Sequence, residues 1–180
     1  VSTAPHHHLY APRWVSDDQT PKDDFNEIVP GLFMGGTPDD GTVDYPARLA
    51  ELEDESPFDS VVTLYSWAQP MGWGVEELRY GFADASVEYF DTDRLLSTAR
   101  WAHARWVAGD RVLIRCQAGL NRSGLVTTLT LMMAGYEPAE AIALIREQRA
   151  QVALFNNAFV DWLVNVAPQL LQVANSNASA

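Results

Sequence analysis

Apolar and polar positions along this chain change period several times, and each change marks an element. Residues 1–24 carry Pro, His, Ser and Asp with neither helical nor alternating order, and read as an irregular N-terminal arm. Phe25 to Gly36, FNEIVPGLFMGG, reads as two short strands about a Pro30-Gly31 turn. Asp44 ahead of Pro46 predicts a helix to about Glu53, because proline is favoured in a first turn, and Pro57 closes the linker behind it. Phe58 to Tyr65, FDSVVTLY, predicts a strand with its Val61 to Leu64 centre buried on both faces. Val75 to Tyr80 reads as a short helical turn, and Ala85 to Phe90 as a further strand that runs up to Asp91.

Leu95, Ala99, Ala102 and Trp106 share one face of a helix from Arg94 to Val107, with His103 beside that stripe as a packed or solvent-facing side chain. Gly109-Asp110 turns the chain into an apolar strand, Val112 to Ile114. Leu125 to Met133 is almost wholly apolar, as a central helix requires, and Met132 and Met133 read as core. Pro138 opens another helix, with Ile142, Ile145 and Arg149 on a related face, and the tail from Ala174 is expected to fray.

Strands alternating with helices predict an α/β fold, a single domain with a largely parallel central sheet flanked by helices and right-handed crossovers. Its expected span is 25–173, between the arm at 1–24 and the tail at 174–180. A chain of 180 residues, 47% hydrophobic with six Trp, is enough for one sizeable core. Twelve Lys and Arg against 24 Asp and Glu give a net charge of -12, which repels nucleic acid and acidic membranes unless basic residues cluster locally. With no long apolar run and no basic-then-apolar leader, the expectation is a soluble, cytoplasmic protein. The lone cysteine excludes an internal disulfide, suits a reducing compartment and leaves Cys116 without a resolving partner. His6, His7 and His8 have no Cys or acidic ligand at suitable spacing, so they read as a solvated run, and neither a metal site nor a cofactor is assigned.

The chemistry concentrates in Arg111 to Gly124, RVLIRCQAGLNRSG, which reads as strand, tight loop and helix start. Backbone N–H groups of such a loop, with the free N–H groups of the helix's first turn, form a concave site for a tetrahedral anion. Arg122 can add two parallel hydrogen bonds. The same positive environment favours thiolate over thiol and makes Cys116 a candidate nucleophile, with Ser123 placed to hydrogen-bond the sulfur and help it leave.

CQAGLNRSG resembles the signature loop of the cysteine-dependent protein tyrosine phosphatase superfamily, C-x5-R followed by Ser or Thr, and most resembles the dual-specificity phosphatases. The preceding apolar strand, the central Ala-Gly, the following Ser-Gly and the apolar helix all accompany the motif. The resemblance covers about Phe25 to Val166, and it implies phosphomonoester hydrolysis through a phosphocysteine. Cys116 is then the nucleophile, and Arg122 with the backbone N–H groups of Gln117, Ala118, Gly119, Leu120, Asn121 and Arg122 holds the phosphate. A carboxylic acid protonates the leaving oxygen and later activates water. Asp91 is preferred for that role because the strand's alternation ends on it, although it precedes Cys116 by 25 residues where relatives have roughly thirty. Asp93 is the rival, set where a helix N-cap is needed.

Two positions depart from the family's pattern. Arg115 stands where relatives usually have His before the nucleophile, so it either adds a cation to the loop or snorkels to solvent. Ala150 replaces the Pro between the closing helices. The loop Ser66 to Gly74 follows a strand's carboxyl end, the ligand side of an open α/β sheet, and Trp67 and Trp73 there either line the mouth of the site or cap the core. A phosphorylated protein is the first substrate expectation. An RNA 5′-phosphate or small phosphoester is the second, the former needing a basic strip from Arg100, Arg105, Arg146 and Arg149. A catalytically silent phosphate-binding module is the rival of another class.

Overall fold

The structure, a computed structural model, describes residues 21, 23–37, 57–72 and 74–178, with side chains as far as residue 173. The helix expected from Asp44, the histidine run His6 to His8 and Trp73 lie outside the described residues. In chain order the elements are β1 (Phe25–Val29), β2 (Leu32–Gly35), β3 (Ser60–Thr63), β4 (Glu76–Arg79), a 3-10 turn (Val87–Tyr89), α1 (Thr92–Val107), β5 (Val112–Arg115), α2 (Arg122–Met133), α3 (Pro138–Gln148), α4 (Asn157–Asn165) and α5 (Ala167–Ala178).

The strands form one sheet in the order β1-β2-β5-β3-β4. β1 and β2 are the expected hairpin, antiparallel about Gly31, whose φ of 83° is a conformation glycine adopts without cost. Every other pairing is parallel, and β5, the strand that feeds the cysteine loop, lies central between β2 and β3.

Register explains how the sheet divides its residues. Phe33, Leu113 and Val61 are aligned across three strands, and so are Met34, Ile114 and Val62. Since side chains alternate between faces, the second trio joins the main core beneath the helices, with Leu95, Ala99, Leu125, Leu129 and Ile145. The first trio builds a smaller cluster on the opposite face, where Phe25, Phe33 and Phe58 meet edge to face. Helix α2 lies against β5 and β2 and is buried from Ser123 to Leu131, which accounts for its lack of a polar side. Its Thr128 and Thr130 hydroxyls donate back to the carbonyls of Gly124 and Val126.

Two expectations are corrected. Val75 to Tyr80 is a strand at the sheet edge, β4, because Glu76 to Arg79 pair with Ser60 to Thr63. Ala85 to Phe90 is no strand; its alternation reflects the 3-10 turn Val87–Tyr89, with Phe90 buried against Phe159 and Trp162. Helix α5 runs from Ala167 to Ala178.

Candidate active site

The loop between β5 and α2 is held from several sides. Cys116 N–H donates to Gly35 O, Thr37 N–H to Gln117 O and the Thr37 hydroxyl to Cys116 O, so the β2 end grips its first two residues. Gly119, at φ 66°, sits so close to β2 that a Cβ would stand 2.5 Å from Gly35 C and Gly36 N. That contact demands glycine on both conformational and steric grounds. Gly119 N–H points back to the sulfur, 3.2 Å from Cys116 Sγ, and Ser123 Oγ lies 3.3 Å from the same atom. Cys116 and Ser123 are both buried, so the sulfur meets a backbone donor and a hydroxyl away from bulk water.

Asn121 occupies the N-cap position of α2 but makes no capping hydrogen bond. Its side chain turns instead to Asp84, with Nδ2 donating to Oδ2 at 3.1 Å, and to Asn156, whose N–H donates to its Oδ1 at 3.0 Å. The first-turn N–H groups of α2 are thereby left to the loop's concave side, as anion binding requires. Arg122 makes three long contacts, 3.3 to 3.4 Å, to Leu64 O, Phe82 O and Gln117 Oε1. Its guanidinium lies 5.6 Å over the Tyr65 ring. Among the described residues its Nε is buried without a hydrogen-bond partner. A buried donor of this strength is costly unless an acceptor meets it, and a bound oxyanion supplies one.

Beside the loop opens a pocket of about 300 Å³ lined by Asp84, Gln117, Ala118, Leu120, Asn121, Arg122, Phe155 and Asn156. The Asp84 carboxylate is fixed there by two amides, Asn121 Nδ2 and Asn156 Nδ2, the latter at 3.0 Å. Asp91 is placed otherwise. Its carboxylate accepts the Arg94 N–H at 3.0 Å as the N-cap of α1, and its backbone is gripped by the Tyr80 hydroxyl. Asp93 lies within the first turn of the same helix. The capping role assigned to Asp93 therefore belongs to Asp91, and the carboxylate that shares the pocket with Arg122 is Asp84. Sequence reasoning missed it, although a signal existed: Asp84 precedes Cys116 by 32 residues, the spacing the resemblance itself implies.

Arg115 neither enters the loop nor reaches solvent. Strand alternation puts it on the face opposite Ile114, in register with Thr63 and Arg79. There, buried, it donates to Thr63 Oγ1, Gln69 O and Glu77 Oε1. Burial pushes the Glu77 carboxyl up, but hydrogen bonds from Thr63 and the Met71 N–H, with the charges of Arg79 and Arg115, hold it below its ordinary value. Trp67 is 80% exposed and so does not cap the core.

Arg149, expected on a helix face and as part of a basic strip, braces the loop from behind. Its Nε donates to Gly119 O at 3.1 Å, and its Nη1 to Asp23 O and Asn26 Oδ1 at 2.7 and 2.6 Å. Burial draws its pKa down to about 10, against the opposing influence of Cys116, Asp24 and Asp23, so it stays charged at neutral pH. Replacing Arg149 with alanine strips the partners from several buried acceptors, and a loss of about 3 kcal/mol in stability is expected in urea titration, with lysine recovering only part. An unchanged midpoint would remove the bracing role. Arg146 likewise donates to the carbonyls of Ala153 and Leu154, and Arg105 pairs with Glu76, so three of the four arginines of the supposed basic strip are engaged within the protein.

No protein-family model matches the sequence, and no curated protein sequence matches it. Solved structures do. The chain is similar to a mouse protein assigned as a dual specificity phosphatase and complexed with zinc tungstate, at 26% identity over 91% of this chain and 97% of that one, TM-score 0.67. It is similar to human DUSP28 at 25% identity over 85% and 99%, TM-score 0.67. Tk-PTP in its active form matches at 26% identity over 83% and 96%, TM-score 0.62. The chain is a dual-specificity-phosphatase-like member of the protein tyrosine phosphatase superfamily. In this phosphatase-like chain, the loop of Cys116 to Arg122 and the pocket beside it stand at the carboxyl end of the central strand, where a parallel sheet presents its ligand site. Among the described residues no group of three or more His, Cys, Asp or Glu is placed to hold a metal ion, and no helix is long and apolar enough to cross a membrane.

Proposed function

We propose that the chain hydrolyses phosphomonoesters through a phosphocysteine, with a phosphorylated protein as substrate. The enzyme class, a cysteine-dependent phosphatase, follows from its relatives. The observation that supports the chemistry is the sulfur of Cys116, met by the Gly119 N–H and the Ser123 hydroxyl, beside an arginine whose Nε has no partner of its own.

In the first step the Cys116 thiolate attacks phosphorus. Arg122 and the loop N–H groups from Gln117 to Arg122 stabilise the charge that gathers on the equatorial oxygens. As the ester P–O bond breaks, Asp84 gives its proton to the leaving oxygen. In the second step a water attacks the phosphocysteine while Asp84, now a carboxylate, takes the water's proton. The S–P bond breaks and the sulfur leaves as thiolate, accepting a hydrogen bond from Ser123. Asn121 and Asn156 hold the Asp84 carboxyl in place for both steps, which is positional work that a flexible loop does not do.

A phosphoprotein is favoured over RNA because Arg105, Arg146 and Arg149 are engaged internally and the chain carries a net charge of -12. A nucleophile that must remain a thiol fits the reducing cytoplasm. The reading is tested with p-nitrophenyl phosphate in the presence of a chelator, followed by acid quench and mass spectrometry. Turnover with a phosphate adduct on Cys116 is expected; turnover without an adduct on Cys116 would sink the covalent route, and no turnover would leave a phosphate-binding module.

A further inference from the structure

Trp67 is the most exposed of the large hydrophobic residues described, at 80%. It occupies a central position of the turn Tyr65–Ala68, closed by the Ala68 N–H to Tyr65 O at 3.2 Å. That turn adjoins the catalytic arginine: Leu64 O accepts from Arg122 and the Tyr65 ring lies under its guanidinium. Ser66 packs against Gly81, where a Cβ would collide with its hydroxyl, so the turn abuts the segment that leads through Phe82 to Asp84.

The turn is also fixed in place by ionised groups. Arg79 Nη2 donates to Ala68 O at 2.6 Å, Arg115 Nη2 to Gln69 O at 2.8 Å, and Glu77 Oε2 accepts the Met71 N–H at 3.0 Å. Strand register sets all three of these side chains on one face at the ends of β4 and β5. Holding charges under a surface loop carries a desolvation cost, and its effect here is an anchored turn that presents the indole to solvent beside the phosphate site. Binding at an anchored turn loses less backbone freedom than binding at a mobile one.

We propose that Trp67 is a specificity-determining residue that receives a basic side chain flanking the phosphorylated residue of a peptide substrate. This rests on the phosphatase reading above. An arginine or lysine finds an attractive partner in an exposed indole face, and the chain's net charge of -12 draws such a peptide in.

The test compares wild type with Trp67→Ala and Trp67→Phe on p-nitrophenyl phosphate and on two phosphotyrosine peptides identical except for flanking Arg or Ala. At 80% exposure the substitution leaves the fold intact. For Trp67→Ala, kcat/KM on the arginine peptide is expected to fall about tenfold through KM, with a smaller loss on the alanine peptide and p-nitrophenyl phosphate unaffected; Trp67→Phe retains most of the preference. Equal losses on the two peptides, no loss on either, or wild-type turnover of p-nitrophenyl phosphate without turnover of peptides would each overturn the proposal and leave the phosphatase reading standing. Absence of wild-type turnover on all three substrates would overturn both together.

Discussion

Cys116→Ser is expected to lower turnover of p-nitrophenyl phosphate by roughly a thousandfold or more, because the nucleophile itself is removed. The same variant keeps its affinity for phosphate or tungstate, since the loop N–H groups and Arg122 remain. Serine is nearly isosteric, and its hydroxyl can still accept the Gly119 N–H and meet Ser123 Oγ, so the loop retains its shape. Arg122→Ala is expected to lose turnover and anion affinity together. Its guanidinium contacts Leu64 O, Phe82 O and Gln117 Oε1 only at long range, so its strong hydrogen bonds are reserved for the ligand. Steady-state kinetics with calorimetric titration of phosphate separates the two roles. Retention of more than a few per cent of turnover by Cys116→Ser would exclude covalent catalysis at this sulfur.

Asp84→Asn is expected to slow the hydrolysis of alkyl phosphates such as phosphoserine by a hundredfold to about ten-thousandfold, or about 3 to 5 kcal/mol of barrier. The loss on p-nitrophenyl phosphate is much smaller, because an acidic phenol leaves with little protonation. Asparagine fills the same space but keeps an acceptor for only one of the Asn121 and Asn156 amides, which bond to opposite carboxylate oxygens, so a small loss of local order accompanies the loss of the proton donor. Asp91→Ala removes the N-cap of α1 and is expected to cost on the order of 1 kcal/mol in stability with the leaving-group dependence unchanged. Measuring both variants on both substrate types decides between them. A leaving-group effect in Asp91 variants alone would return the acid role to Asp91, and a small uniform loss in both would mean that neither carboxylate serves as acid.

The elements read most accurately from sequence were those whose residues bury one uniform surface. The hairpin at Phe25 to Gly36, the strand into Cys116, α1 with its Leu95, Ala99 and Ala102 stripe, and the apolar α2 are all as expected, since each pattern is fixed by a single periodicity. The reading failed where short segments were ambiguous. Val75 to Tyr80 has too few residues for either period to prevail, and its strand conformation is set by pairing with β3. Ala85 to Phe90 alternates as a strand does, yet it has no sheet partner and closes as a 3-10 turn over Phe159 and Trp162.

Within the site the sequence by itself put Cys116, Arg122 and Ser123, the proposed nucleophile, anion clamp and leaving-group partner, within one short loop. What only the tertiary structure decided involves partners far apart in the chain. Asp84 enters through Asn121 and Asn156, 37 and 72 residues away. Arg149 reaches Gly119 across 30 residues, and Arg115 is turned from the loop by the pleat of its strand and bound to Glu77, 38 residues distant. Each of these side chains acts through a charge or hydrogen bond whose partner is chosen by strand register and helix packing. Such choices leave no periodic trace along the sequence, so their roles appear only once the sheet has brought the segments together.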